Sequence, residues 1–186
     1  MSEKQQPLYS EQNSQRHEIN IYRIDDTLIK TFPAKPFKPH RNNYQAIIWI
    51  NAGRGTHLID DQLYEIEPNT FMLVTKDQMH AFNPKFGTLG CAIRFSDSFL
   101  DSATYHSTCK YSLFNNLTVN SVLQVNETEK PSFETLVRQL LNEYKKDDEL
   151  GKFGIIQHLL EALILKLDQL KKNNLPANTT RTTRPI

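Results

Sequence analysis

Tyr44-Gln45-Ala46-Ile47-Ile48-Trp49-Ile50 runs directly into Asn51-Ala52-Gly53-Arg54-Gly55, and the reading of this stretch decides the fold. The first part is β-branched, aromatic and almost continuously apolar, as a strand covered on both faces must be. The second part is turn chemistry, because glycine accepts the positive φ that a tight hairpin demands. Outward from this pair the pattern repeats. Thr56–Asp60 is answered across Asp61-Gln62 by Leu63–Ile66, and Glu67-Pro68-Asn69 turns into Thr70–Thr75. Lys76-Asp77-Gln78 turns into Met79–Phe82, and Asn83–Gly87 loops into Thr88–Phe95. Upstream, His17 to Ile24 alternates polar and apolar at the period of a half-buried strand. Pro33, Pro36 and Pro39 then disfavour a helix and leave an extended approach to the Tyr44 strand. Short strands at even spacing with turns between them predict an antiparallel sandwich or barrel.

Beyond Phe95 the pattern changes. Ser96-Asp97-Ser98 can cap a short helical turn, and residues 101–130 read as an irregular connection. From Pro131, with Ser132 as a plausible cap, Phe133, Leu136, Val137, Leu140, Leu141 and Tyr144 fall on one helical stripe. After a charged link, Ile155, Ile156, Leu159, Leu160, Leu163, Ile164, Leu167 and Leu170 continue the spacing for about four turns. The chain therefore divides into an arm (1–17), a β domain (18–100), the connection (101–130), a helix hairpin (131–170) and a polar tail (171–186). A stripe of such large aliphatics is expected to form a seam with a second copy through Ile156, Leu160, Leu163, Leu167 and Leu170. The alternative is an internal hairpin packed on the sheet. The tail, with Pro176, Pro185 and Thr-Arg-Thr-Thr-Arg, reads as a linker with nothing attached, so the chain is expected to be a fragment.

Composition narrows the function. The 186 residues carry 22 basic and 21 acidic side chains, net +1, and no bulk field draws the chain to nucleic acid or membrane. The two cysteines, Cys91 and Cys109, lack CxxC spacing and suggest reduced thiols in a soluble, cytoplasmic protein. No apolar run approaches the ~20 residues of a membrane span. There is no GxSxG elbow and no GxxxxGK[ST] phosphate loop.

Several segments, in order, resemble the cupin-like amino-terminal domain of AraC-type bacterial transcription regulators. They are Tyr44-Gln45-Ala46-Ile47-Ile48-Trp49, Gly53-Arg54-Gly55-Thr56-His57-Leu58-Ile59-Asp60, Pro68-Asn69-Thr70 and Gln78-Met79-His80. Ile93-Arg94-Phe95-Ser96-Asp97-Ser98-Phe99-Leu100 and Leu113-Phe114-Asn115-Asn116 extend the likeness, which covers about residues 17–170. Lys76-Asp77 departs from the family's Pro-Gly before Gln78. The resemblance implies a mostly β, cupin-like antiparallel β-barrel (a double-stranded β-helix) followed by a C-terminal antiparallel helix hairpin. It implies a small-molecule effector in the barrel and a homodimer paired by the hairpin. DNA would be read only by a helix-turn-helix half absent from this chain.

Metal-dependent cupin enzymes are the rival class, with an H-x-H-x(3,4)-E motif and a later histidine as ligands. Here His40 and His80 hold the first and last positions, but Asn42 replaces the second histidine and Ala46 the carboxylate. No metal, no cofactor and no catalytic residue is therefore expected. Strand alternation puts Asn42, Tyr44, Ala46 and Ile48 on one side, taken as the cavity side. His40, Asn42, Tyr44, Ala46, His80, Phe82 and Arg94 form the expected effector site, suited to a sugar or another polar molecule. His80 as a backbone-bonded loop residue and His40 as a solvent residue stay open as alternatives. Arg94 either meets an acidic effector or runs along the surface with its head in water. Trp49, on the opposite face from Tyr44, is expected under the helices, and His57 and Asp60 are expected in solvent.

Overall fold

The computed structural model describes residues 19–31, 38–101, 113–114, 121–147 and 150–174. The arm 1–17, Pro33 and Pro36, most of the 101–130 connection, Asn115, Asn116 and the tail from residue 175 lie outside them. In chain order the elements are β1 (Ile19–Ile24), α1 (Asp26–Thr31), β2 (His40–Arg41), β3 (Gln45–Ala52), β4 (Gly55–Ile59) and β5 (Gln62–Ile66). Then come β6 (Thr70–Val74), β7 (Met79–Pro84), β8 (Leu89–Phe95), α2 (Asp97–Asp101), β9 (Val122–Gln124), α3 (Lys130–Tyr144) and α4 (Lys152–Asn174).

The strands form two antiparallel sheets, β1-β8-β3-β6-β9 and β2-β7-β4-β5. They face each other without closing into one continuous ladder among the described residues. β3 lies at the centre of the first sheet, between β8 and β6, and Ala46–Ile50 is buried throughout. Alternation explains the continuous apolar run. Ala46, Ile48 and Ile50 face the second sheet with Met72, Val74, Ile59 and Ile66, while Ile47 and Trp49 face the helices. A strand with no solvent face has no position for a polar residue.

Two glycines set the close approaches. Gly53 has φ +105°, and a Cβ there would stand 2.3 Å from Cα of Thr88. At Gly90 a Cβ would meet the Trp49 carbonyl oxygen at 2.1 Å, so glycine lets β8 lie against β3 at this point.

The helices cover the outer face of the first sheet. Ring centroids of Trp49 and Phe71 lie 4.5 Å apart, and Phe71 meets Phe133 of α3 at 5.2 Å. α3 starts at Lys130, not at a Ser132 cap. Pro131 sits in its first turn, and the Asn126 side chain accepts the Glu129 amide at 2.9 Å just before it. The short α2 is capped as its sequence suggests, with Ser96 Oγ accepting the Phe99 amide at 3.2 Å.

The pairing seam expected on α4 is not available in this arrangement. Ile156, Leu160, Leu163 and Leu167 are 0% exposed and Leu170 3% within the single chain. All five belong to one cluster with Ile47, Trp49, Phe71 and Ile93. The stripe is the inner face of the hairpin, and burying each such side chain stabilises by about 1.5–3 kcal/mol. Exposing them to a second copy would dismantle this core. Two further boundaries differ. β9 pairs with β6 within the stretch read as irregular. α4 continues past Leu170: Lys171 is buried with Nζ donating to the Leu113 carbonyl at 3.2 Å, and Asp168 meets Lys172 at 2.6 Å.

Candidate functional site in the sheet interior

Between the sheets lies a cavity lined by Tyr22, Ile24, Leu28, His40, Asn42, Tyr44, Ala46, Ile48, His80, Phe82, Ala92 and Arg94. It is a cleft of about 540 Å³, part of it open to solvent. All seven expected contact residues line it: His40, Asn42, Tyr44, Ala46, His80, Phe82 and Arg94. They come from β2, the loop after it, β3, β7 and β8. The pairing of His40 with His80 across β2 and β7 brings the two rings to 4.5 Å.

The polar end is a chain of hydrogen bonds. Asn42 Nδ2 contacts His80 Nε2, His80 Nδ1 lies 3.1 Å from His57 Nε2, and His57 Nδ1 lies 3.4 Å from Met72 Sδ. The chemistry of the far end orders the protons. A thioether has no proton to give, so His57 carries its own on Nδ1 and offers a bare Nε2. His80 then donates from Nδ1 and accepts at Nε2, which requires the Asn42 amide nitrogen as donor. Every ring nitrogen in the chain is matched, with both imidazoles neutral.

Burial enforces that neutrality. His57, 0% exposed, is held well below the usual histidine range by desolvation first, then by His80 and His40. His80 is pushed down to about 3 by desolvation first, then by its electrostatic interactions with His40 and Arg94. His57 is thus a correction: expected in solvent, it is the most deeply buried polar ring of the site. Its strand gives the reason, since Gly55, His57 and Ile59 are the buried positions of β4. Asp60 is exposed as expected, and its carboxylate accepts from Gln78 Nε2 at 2.9 Å and the Met79 amide at 3.1 Å.

The other end holds Arg94. Its strand neighbours are Asn20 on β1 and Ala46 on β3. Tyr22 stands two residues beyond Asn20 on β1, and Tyr44 two residues before Ala46, just ahead of β3, both within diagonal reach. Their rings accordingly bracket the guanidinium, with Cζ 4.9 Å from Tyr22 and 5.0 Å from Tyr44. Arg94 makes no hydrogen bond or ion pair with a described residue. Arg94 is half-buried, and its head stands between two rings that line the cavity.

For a metal the donor set is poor. His80 has both ring nitrogens engaged by Asn42 and His57, and Ala46 has nothing to coordinate with. Among the described residues no group of three or more His, Cys, Asp or Glu is placed to hold an ion. The residues that sequence reasoning missed are Tyr22, Ile24, Leu28, Ala92 and His57. Alternation along β1 and β8 carries the signal for Tyr22, Ile24 and Ala92. Leu28 sits on α1, which the sequence did not reveal.

Two facing antiparallel sheets with a polar-ended cavity and a covering helix pair define a cupin-like ligand-binding domain. The chain belongs to the AraC-like ligand-binding domain family, whose model matches residues 26–164. Among solved structures it is similar to the regulator ToxT of Vibrio cholerae, at 14% identity over 81% of this chain and 55% of that one, TM-score 0.40. ToxT with an unsaturated fatty acid bound matches at 13% identity over 83% and 54%, TM-score 0.42. The AraC-like transcriptional activator CuxR matches at 11% over 78% and 48%, TM-score 0.44. The chain thus spans about half the length of these regulators. No curated protein sequence matches it. No described helix is long and apolar enough to cross a membrane.

Proposed function

We propose that this chain is the effector-sensing domain of an AraC-family transcription regulator and not an enzyme. A small polar molecule enters the cavity between the sheets and is held by His40, Asn42, Tyr44, Ala46, His80, Phe82 and Arg94. Its occupancy controls a DNA-binding half that lies outside these residues. The observation that carries this reading is the convergence of a neutral histidine–amide chain and an aromatic-bracketed arginine on one cavity. Catalysis by a bound metal is disfavoured because the lone pairs of His57 and His80 each face an N–H donor, His80 Nδ1–H and the Asn42 amide respectively, and not open space. The homodimer is retained as part of the proposal, with its contact moved to the outward side of α4, where Ile155 and Leu165 are 46% and 36% exposed.

The test pairs metal analysis of the purified chain with thermal unfolding against sugars, polyols, amides and carboxylates. At least one compound should raise Tm in the wild type and fail to do so in Ala46→Phe, which fills the cavity. A full equivalent of tightly held metal, with no compound raising Tm, would favour the enzyme reading.

A further inference from the structure

We infer that the effector is a compact monocarboxylate with an apolar body, its carboxylate received by Arg94 between Tyr22 and Tyr44. The inference rests on the effector-binding reading and names the ligand class for the same cavity.

Among the described residues, Arg94 is the permanent charge in the lining and no acidic side chain lines the cavity with it. Arg94 is half-buried, and no carboxylate among the described residues takes the charge-assisted bonds that its guanidinium can make. The two tyrosine rings occupy positions about 5 Å from Cζ, and they hold the head in place without taking its N–H donors. Those donors lie in the guanidinium plane, as a fork that fits the two oxygens of a carboxylate.

Charge selects among anions. One permanent positive charge balances one negative charge. A phosphate monoester near −2 would bring an excess charge into a space whose deepest histidines, His57 and His80, are kept neutral by burial. Shape selects the rest. Ile24, Leu28, Ile48, Phe82 and Ala92 line the same cavity as an apolar wall. A polyhydroxylated ligand would leave hydroxyls against that wall without partners.

The experiment is calorimetric titration of the chain with benzoate and hexanoate, beside benzamide, hexanamide and arabinose. The carboxylates should bind and their amides should bind at least tenfold more weakly. Arg94→Gln should weaken the carboxylates by roughly 10–100-fold, the span of a charge-assisted fork. Arg94→Lys keeps the charge but loses the fork and the stacking, and should fall between; it also serves if the glutamine variant does not fold. Equal binding of acid and amide, or unchanged carboxylate affinity in both folded variants, overturns the inference. Arabinose or an amide binding while both carboxylates fail overturns the anion class and leaves the effector-sensing function standing. Failure of every probe, with Ala46→Phe indistinguishable from wild type across the wider thermal panel, overturns both.

Discussion

Acidification should destabilise this domain well before its carboxylates titrate, and His80 sets the size of the effect. In the folded chain His80 is neutral, with its pKa pushed down to about 3 from an ordinary 6.5. The unfolded chain therefore takes up a proton as pH falls through 6.5, while the folded chain does not until near 3. A depressed folded pKa means that stability is complete above about 6.5 and drains away below it. At pH 5 the gap is about 1.5 units, and at about 1.36 kcal/mol per unit His80 alone removes ~2 kcal/mol. His57 acts in the same direction, since burial holds it well below the usual range as well. The groups facing His80 are His57, His40 and Arg94, and none supplies a negative charge that would stabilise an imidazolium. Urea unfolding at pH steps from 7.5 to 4.5 would measure the wild type beside His80→Gln. The glutamine can still accept from Asn42 and donate to His57, but it cannot titrate. Its stability should fall less steeply with pH, the two curves converging by ~2 kcal/mol between pH 7 and 5. Parallel curves would show that His80 is not buried as a neutral ring, and the proton order of the chain would fall with it.

Leu163→Asp places a carboxylate in a 0% exposed site and should abolish the folded circular-dichroism signal, while Leu163→Ala should cost about 2–5 kcal/mol. A folded, monomeric Leu163→Asp from a dimeric wild type would restore the inner stripe as an intermolecular seam. Gly90→Ala drives a methyl group into the Trp49 carbonyl and should destabilise by about 1–3 kcal/mol in chemical denaturation, whereas an unchanged midpoint would mean that β8 and β3 separate freely there. Burial pushes the Cys91 thiol up to about 12, so at pH 8 roughly one molecule in ten thousand is thiolate. In a Cys109→Ser background a thiol reagent should label the chain only after unfolding, and labelling of the native chain at the rate of a free thiol would contradict this burial.

The β-strands were legible because their signals are local. Alternation and turn residues mark β3 to β8 within one or two positions, and the same alternation assigns Trp49 to the helix side. It also brought Asn42, Tyr44 and Ala46 to one face, and the structure places that face on the cavity. Three features were not legible, each for a physical reason. β9 is only three residues long, and what makes it a strand is its pairing with β6, a contact about fifty positions away in sequence. His57 was misplaced because a polar residue near a hairpin looked solvated, although its strand parity pointed inward. The stripe on α4 shows that one helical face is covered, but periodicity carries no information about what covers it. A second copy and the chain's own sheet demand the same spacing of leucines. Only the three-dimensional count of apolar faces decides, and here the outer face of the first sheet needed a cover that α3 alone is too narrow to provide.

That shared sheet also bears on how an occupied cavity could be felt outside it. One layer of strands separates the ligand from the helices, and every strand in it faces both ways. In β8, Arg94 and Ala92 point to the cavity while Cys91, Ile93 and Phe95 lie under the helices. In β1, Tyr22 flanks the guanidinium while Ile19 and Ile21 pack in the helix-side core. Asn20, the ladder partner of Arg94, also accepts a hydrogen bond from the Tyr144 hydroxyl of α3 at 3.3 Å. Among the described residues β1 is an edge strand paired with β8 alone, so it can shift without breaking a second described set of sheet hydrogen bonds. On the proposed function, an anion that re-seats Arg94 alters the grip of Tyr22, and β1 is the element through which the change meets α3. Such coupling exists only to the extent that the ligand binds one seating of β1 more tightly than the other. The size of that difference, and not the tightness of binding itself, is what would make this cavity a sensor.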